Sequence, residues 1–97
     1  MAKRTTTANA YKLPIETNVY EIEWSGDLAT GDSLSGNPTV TEVGTSIFTV
    51  SGQTTSGTKS QWRLDAAGVA GTKYEFLVSQ STTNSDIHAV KFFLVVE

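Results

Sequence analysis

The 97-residue sequence has no cysteine, one histidine and two prolines, and its apolar residues do not form long uninterrupted runs. The lack of cysteine excludes disulfide bonds and metal sites built from thiolates. No apolar run approaches the roughly 20 residues of a membrane-spanning helix, and the N-terminus lacks the apolar block of a signal peptide. The sequence therefore predicts synthesis in the cytoplasm and no membrane partner.

Charge of either sign is also scarce, with seven basic and ten acidic residues and a formal net charge of -3. This value is too small to predict binding to nucleic acid. The charges are unevenly placed, because Lys3, Arg4 and Lys12 lie in the first twelve residues, which have no acidic residue. The remainder has four basic and ten acidic residues, a net of 4 - 10 = -6. The N-terminal segment is thus positive and the body negative.

Helical patterning is missing as well, since no helix start signal is followed by an apolar residue every three to four positions. Apolar and polar side chains alternate instead, first at Tyr20, Ile22 and Trp24. A period of two places one face of a strand in a core and the other in solvent. Such segments recur every 8 to 12 residues or so, with turn residues between them. This spacing predicts an all-β sandwich of about seven strands.

A corner of small residues precedes one alternating strand. Gly68 and Gly71 allow a sharp turn, and Tyr74, Phe76 and Val78 then share one face. A tyrosine at this place is typical of the tyrosine corner of immunoglobulin-like domains, in which its hydroxyl bonds to backbone upstream. We therefore predict an immunoglobulin-like antiparallel β-sandwich. The side chains expected to stabilise its core are Trp24, Trp62, Tyr74, Phe76, Phe92 and Leu94.

Residues 1–14 are predicted to form an extended N-terminal arm, and residues 15–97 the sandwich. The arm has too little apolar surface to hold itself on the body. We expect residues 1–12 to be ordered only in an assembly, by strand addition to the edge of a neighbouring copy or of another protein. The residues expected at this contact are Lys3, Arg4, Tyr11, Lys12, Leu13 and Ile15.

Catalytic patterns are weak. Glu21 and Glu23 share a strand face and could be compared with the paired carboxylates of glycosidases, but such pairs more often form a solvated face. Asp86 lies two residues before His88, and a single pair of this kind is more often surface chemistry than a catalytic or metal site. The sequence predicts no catalytic residue and no enzyme.

No cofactor or metal is expected. Asp27 and Asp32 could contribute to a calcium site, although turn formation explains both. Trp24 and Trp62 are in phase with apolar neighbours, which favours core packing. Exposed tryptophans would instead indicate a sugar-stacking platform, so a carbohydrate-binding or adhesin-type module remains an alternative. An accessory domain of an enzyme is a further alternative, and it would require a longer parent chain.

The order of several features resembles that of a known family. These features are the strand ending in Trp24, Leu28, Gly31-Asp32-Ser33-Leu34, Ser56-Gly57-Thr58, the strand around Trp62, and Gly71-Thr72-Lys73-Tyr74. From about Tyr20 to Val96, the chain resembles the small immunoglobulin-like proteins of tailed bacteriophages known as the fiber–tail adaptor family.

The resemblance implies a non-enzymatic part of the virion, made in the host cytoplasm. It would join portal, neck or tail components to fibers or neighbouring proteins. Several copies in a ring are expected. The family has no catalytic residues to carry over. Because the chain starts with Met1 and ends just after its last strand, at Glu97, a stand-alone gene product is expected.

Overall fold

The structure, a computed structural model, describes residues 7–97. Within that range it has seven strands and no helix. The strands are β1 (Thr7–Lys12), β2 (Asn18–Glu23), β3 (Leu34–Val43), β4 (Val50–Ser56), β5 (Lys59–Leu64), β6 (Thr72–Thr82) and β7 (Ile87–Val96). None of the described residues forms a helix long and apolar enough to cross a membrane.

The strands form two sheets with the orders β1-β7-β6-β3 and β2-β5-β4. Apolar side chains from the inner faces of both sheets meet in one core, which confirms the predicted all-β sandwich. If β1 to β7 are matched in order to strands A to G of an immunoglobulin domain, the sheets read A-G-F-C and B-E-D, which is compatible with that fold. The pairing is not wholly antiparallel, because β1 runs parallel to β7.

The core lies where the alternation of the sequence places it. All six side chains expected there are buried, and Tyr20, Ile22, Leu64, Val78, Val90 and Val96 join them. The Trp62 ring packs edge-on against Phe92 at 5.1 Å between centroids, and Tyr20 packs on the same phenylalanine at 5.4 Å. These contacts join β2 and β5 of one sheet to β7 of the other.

The corner before β6 has the geometry of a tyrosine corner. The N–H of Val69 donates to the hydroxyl oxygen of Tyr74 at 2.9 Å. Gly68 has a φ of +107°, and a Cβ built on it would lie 2.7 Å from the side chain of Val96. Glycine is therefore required at this position by both its backbone conformation and the close packing.

We expect Tyr74→Phe to lower the free energy of unfolding by about 0.5–1.5 kcal/mol, the typical contribution of one hydrogen bond. The ring keeps its packing against Phe48, at 5.0 Å between centroids. Only the bond from Val69 is lost. Urea unfolding measures the change, and an unaltered midpoint would contradict a stabilising role for the corner hydrogen bond.

A polar network crosses the core between the sheets. The indole N–H of Trp24 donates to Ser60 Oγ at 2.8 Å, and this hydroxyl donates to Gln80 Oε1 at 2.6 Å. The amide nitrogen of Gln80 donates to the carbonyl oxygens of Gly36, at 2.9 Å, and Ser35, at 3.1 Å. Gln80 thereby holds the irregular part of β3, where the register with β6 shifts between Ser35 and Thr39.

The described part of the N-terminal segment is a strand of the sandwich. Residues 7–12 of the predicted arm form β1 and pair with β7 in the chain's own four-stranded sheet, while the ordering of the arm by an assembly stays a prediction. Lys12 points inward and is only 2% exposed. Its ammonium donates to the carbonyl oxygens of Ala67, at 2.5 Å, and Pro14, at 3.3 Å, and lies 5.6 Å from the centre of the Phe48 ring. Lys12 therefore connects three loops at one end of the sandwich.

Candidate interaction surface

The outer face of the three-stranded sheet is polar. Glu21 pairs with Lys59 at 3.5 Å and accepts a hydrogen bond from Gln61 at 3.1 Å. The hydroxyl of Thr58 donates to Glu23, and this hydrogen bond lowers the pKa of Glu23 below its ordinary value. These two carboxylates have structural neighbours on an open face, as expected of a solvated strand surface.

The outer face of the four-stranded sheet is different. We call it the apolar face, and its members are Tyr11, Val43, Leu77, Phe93 and Val95. Cross-strand register places Tyr11 opposite Val95, and Glu75 between Phe93 and Val43. The ammonium of Lys73 lies 4.5 Å from the centre of the Phe93 ring and covers part of it. Exposed apolar side chains with charged neighbours, here Lys91 opposite Leu77 and Glu75 opposite Phe93, are typical of a protein-binding surface.

Further apolar side chains lie at the end of the sandwich where β1 finishes and β6 starts. We call this region the loop end, and its exposed members are Leu13, Ile15, Ile47 and Val69. Ile15 is 84% exposed, in a turn closed by the Glu16 N–H donating to the Leu13 carbonyl at 3.1 Å. Pro14 suits the second position of this turn because its φ is fixed there.

Hydrogen bonds hold the other loops of this end. The Glu42 carboxylate accepts from the Thr45 hydroxyl and from the N–H groups of Ile47, at 3.0 Å, and Phe48, at 2.9 Å. Asp65 accepts from the N–H of Thr49 at 2.9 Å. The loops thus present apolar side chains from a fixed backbone, which reduces the entropy lost on binding.

The opposite end is polar. Asp32 Oδ1 accepts from the Thr83 hydroxyl at 2.7 Å and from the N–H groups of Ser33 and Asn84. Desolvation raises the pKa of Asp32, but the hydrogen bonds from Thr83, Thr82, Ser33 and Asn84 outweigh it, so this pKa lies below its ordinary value. Its carboxylate therefore joins two loops. Within residues 7–97, no cluster of acidic or histidine side chains could hold a metal ion, and Asp27 is buried.

The structure also shows where the candidate sugar-binding and catalytic residues lie. Trp24 and Trp62 are both 0% exposed, so neither forms a sugar-stacking platform. The ring of His88 stacks on that of Trp24, with 6.1 Å between the centroids.

The expected contact residues divide into three groups. Tyr11, Leu13 and Ile15 are exposed and close in sequence to one another, and they connect the apolar face to the loop end. Lys12 is buried in its own sheet, where its ammonium bonds to the carbonyl oxygen of Ala67, and its role at a contact stays a prediction. Lys3 and Arg4 lie outside the described residues.

The sequence did not identify four exposed apolar residues of these two surfaces, which are Val43, Leu77, Ile47 and Val69. Their exposure depends on which sheet face or loop each occupies, and strand propensity alone does not show this. One signal was present, because Phe93 and Val95 alternate with the core residues of β7 and so point outward. That pattern indicated a second apolar face on the last strand.

The comparisons with known proteins identify a family. None of the curated proteins matches the chain significantly. Residues 12–95, which include β2 to β6 and most of β7, match the model of a family described as Podophage GP4 fiber-tail adaptor protein gp77. The match covers most of the 97 residues and confirms the resemblance seen in the sequence. The chain therefore belongs to this phage fiber–tail adaptor family.

Proposed function

We propose that this chain is a non-enzymatic structural part of a tailed-phage virion, which joins portal, neck or tail components to fibers or to neighbouring proteins. Membership in the fiber–tail adaptor family is the observation that carries the proposal. The protein is made in the host cytoplasm and acts in the particle, in several copies arranged as a ring. Its partners are other virion proteins, with no cofactor, nucleic acid or membrane.

An adaptor needs separate surfaces for its separate partners. The apolar face and the loop end supply two, one on the side of a sheet and one on the tips of three loops. Tyr11 lies where they meet, since it ends the apolar face on β1 and is followed by the turn that carries Leu13 and Ile15. Partners bound to the two surfaces would be held at a fixed relative orientation.

The alternative, a carbohydrate-binding or adhesin-type module, has less support. Such sites use exposed aromatic rings, and both tryptophans are buried. Tyr11 is a single exposed aromatic, and the Phe93 ring is partly covered by Lys73. The apolar face suits a protein better than a sugar because Leu77 and Val43 lie on the same sheet face and offer no ring for stacking.

Leu77→Lys tests the role of the apolar face. Leu77 is 44% exposed, so the change places a charge in the proposed interface without opening the core. We expect the protein to fold, with an unfolding midpoint near that of the parent. Its incorporation into particles and their fiber content should fall about tenfold or more, because burying an unpaired charge costs several kcal/mol. Quantitative mass spectrometry of purified virions measures both quantities.

Val19→Lys is the matched control. Val19 is 55% exposed on the outer face of the three-stranded sheet, so the same chemical change is made away from the apolar face. This variant should be incorporated normally. Normal incorporation of Leu77→Lys would contradict the role of the apolar face, and fully fibered particles made without this protein would contradict the adaptor function.

A further inference from the structure

We propose that the loop end of one copy of this chain docks on the apolar face of the next copy, so that identical subunits join head-to-tail. The inference rests on the ring of copies in the proposed function and names the partner of these two surfaces. Each surface then contacts a neighbouring copy, and the rest of the assembled ring is left for other virion proteins.

Most of the exposed large apolar side chains lie on these two surfaces. Of the nine in residues 7–97, three belong to the apolar face and four to the loop end. The other two, Val19 and Ile87, lie apart from them, on the outer face of the three-stranded sheet and at the start of β7. Single exposed apolar residues are ordinary, whereas groups of them mark contact surfaces. Each of the two groups is therefore expected to meet an apolar counterpart.

The loop end is acidic. Its loops, residues 13–17, 44–49 and 65–71, contain no lysine, arginine or histidine. Four carboxylates lie at this end, three of which accept hydrogen bonds from backbone N–H groups, and they are Glu16, Glu42, Asp65 and Glu97. Lys12 lies at the same end but is buried, and it donates to the carbonyl oxygen of Ala67. An apolar surface with negative charge around it fits a partner that is apolar and positive.

The apolar face has the opposite charge. Among its described residues, two lysines, Lys73 and Lys91, accompany one carboxylate, that of Glu75. On the outer face of the three-stranded sheet, two basic side chains are balanced by two carboxylates, and these four are Lys59, Arg63, Glu21 and Glu23. The apolar face is thus the described sheet surface on which positive charge exceeds negative charge.

The sign of the charges decides between the ways in which two copies could meet. Two apolar faces pressed together would place lysines near lysines, and two loop ends would place carboxylates near carboxylates. Like charges brought together across a contact disfavour it. A loop end against an apolar face instead matches apolar with apolar side chains and acidic with basic ones.

Contact between two different surfaces is also what a ring requires. Identical subunits joined head-to-tail form a ring when the rotation between neighbours closes, whereas a contact between two identical surfaces gives a dimer. In each copy Tyr11 on β1 is followed by the turn that carries Leu13 and Ile15, so the apolar face and the loop end adjoin. The angle between these two surfaces is fixed by the sandwich and sets the angle between neighbouring copies.

Cysteine cross-linking tests the contact, because the chain has no cysteine of its own. Purified Ile15→Cys protein carrying a mass tag is mixed at high concentration with Leu77→Cys protein and treated with a short thiol-specific cross-linker. We expect a cross-linked heterodimer from the mixture and little product from either variant alone. Ile15 is 84% exposed and Leu77 is 44% exposed, so neither change opens the core.

A double variant and a matched control extend this test. Because every copy of the Ile15→Cys/Leu77→Cys protein carries both halves of a head-to-tail contact, it should give a ladder of cross-linked multimers. In the control, Thr54→Cys replaces Leu77→Cys, since Thr54 is exposed on the outer face of the three-stranded sheet. Its mixture with Ile15→Cys protein should give no heterodimer.

Charge reversal provides an independent measurement. Lys91→Glu places a carboxylate on the surface that meets the acidic loop end, so self-association should weaken about tenfold in sedimentation experiments. Glu97→Lys protein mixed with Lys91→Glu protein should recover part of the association, because a more basic loop end then meets a more acidic face. Lys59→Glu is the matched control on the other sheet, and it should leave self-association unchanged.

Several results would overturn the inference. One is a purified protein that stays monomeric at high concentration, and another is an equal heterodimer yield with Thr54→Cys and Leu77→Cys. Dimers formed by Leu77→Cys protein alone would show that apolar faces pair with each other. If Lys59→Glu weakened self-association as much as Lys91→Glu, the charge effect would not belong to the apolar face. All these measurements use the purified chain without fibers, so they fail independently of the adaptor function, which particles lacking this protein test.

Discussion

Trp62→Ala should cost about 3–5 kcal/mol of stability, the usual range for removing a buried aromatic ring. Trp62 is fully buried and packs against Tyr20 and Phe92, so its loss opens a cavity between the sheets. Domains of this size are stable by about 5–15 kcal/mol, so the variant should unfold at a much lower denaturant concentration than the parent protein. Chemical unfolding followed by circular dichroism measures the effect.

Trp62→Phe is the matched control. Within residues 7–97, the buried indole N–H of Trp62 has no hydrogen-bond partner, so phenylalanine removes an unpaired donor while it keeps an aromatic ring beside Phe92. This variant should lose much less stability than Trp62→Ala. If alanine and phenylalanine gave equal midpoints, both near that of the parent, the packing of Trp62 would not stabilise the sandwich.

Gln80→Leu is expected to have the second largest effect, a loss of about 2–5 kcal/mol. The substitution leaves the hydroxyl of Ser60 and the carbonyl oxygen of Ser35 without the partners that Gln80 gives them. The hydroxyl of Ser60 is fully buried and costs about 1–3 kcal/mol when it lacks an acceptor, and the lost hydrogen bond to the part-buried Ser35 carbonyl adds about 0.5–1.5 kcal/mol. The carbonyl of Gly36 is less affected because the Thr55 hydroxyl also donates to it. The unfolding midpoint and the exchange of amide protons in β3 measure the effect.

A double-mutant cycle with Ser60→Ala separates the network from simple loss of volume. Ser60 and Gln80 are in direct contact, so their substitutions should not be additive. The double variant should be more stable than the sum of the single losses predicts, because it no longer buries a Ser60 hydroxyl whose proton has no acceptor. Strict additivity would contradict the interpretation that the two side chains act as one network.

Much of the fold could be predicted from the sequence, because strand faces follow a period of two. Tyr20, Ile22 and Trp24 indicated one inner face, and Val90, Phe92 and Leu94 another. The corner was also predictable, since Gly68 and Tyr74 have specific conformational roles there. These are local signals, and each depends on residues close together along the chain.

The candidate surface was less predictable. The exposed positions of Tyr11, Leu13 and Ile15 were anticipated, but their partner Leu77 lies on a different strand of the apolar face. Whether an outward side chain belongs to an apolar or a polar face depends on which strands are neighbours. That information is in the sheet order, which the residues of one strand do not contain.

By itself, the sequence determined the all-β class, the core aromatics, the tyrosine corner and the adaptor family. Only the tertiary structure decided that β1 completes its own sheet in parallel with β7, that Lys12 is buried, and that Gln80 joins the two sheets. The reason is physical: a lysine or glutamine can be buried only where acceptors or donors from distant segments meet it. For Lys12 the distant acceptor is the carbonyl of Ala67, 55 residues along the chain, and the pattern around Lys12 contains no sign of it.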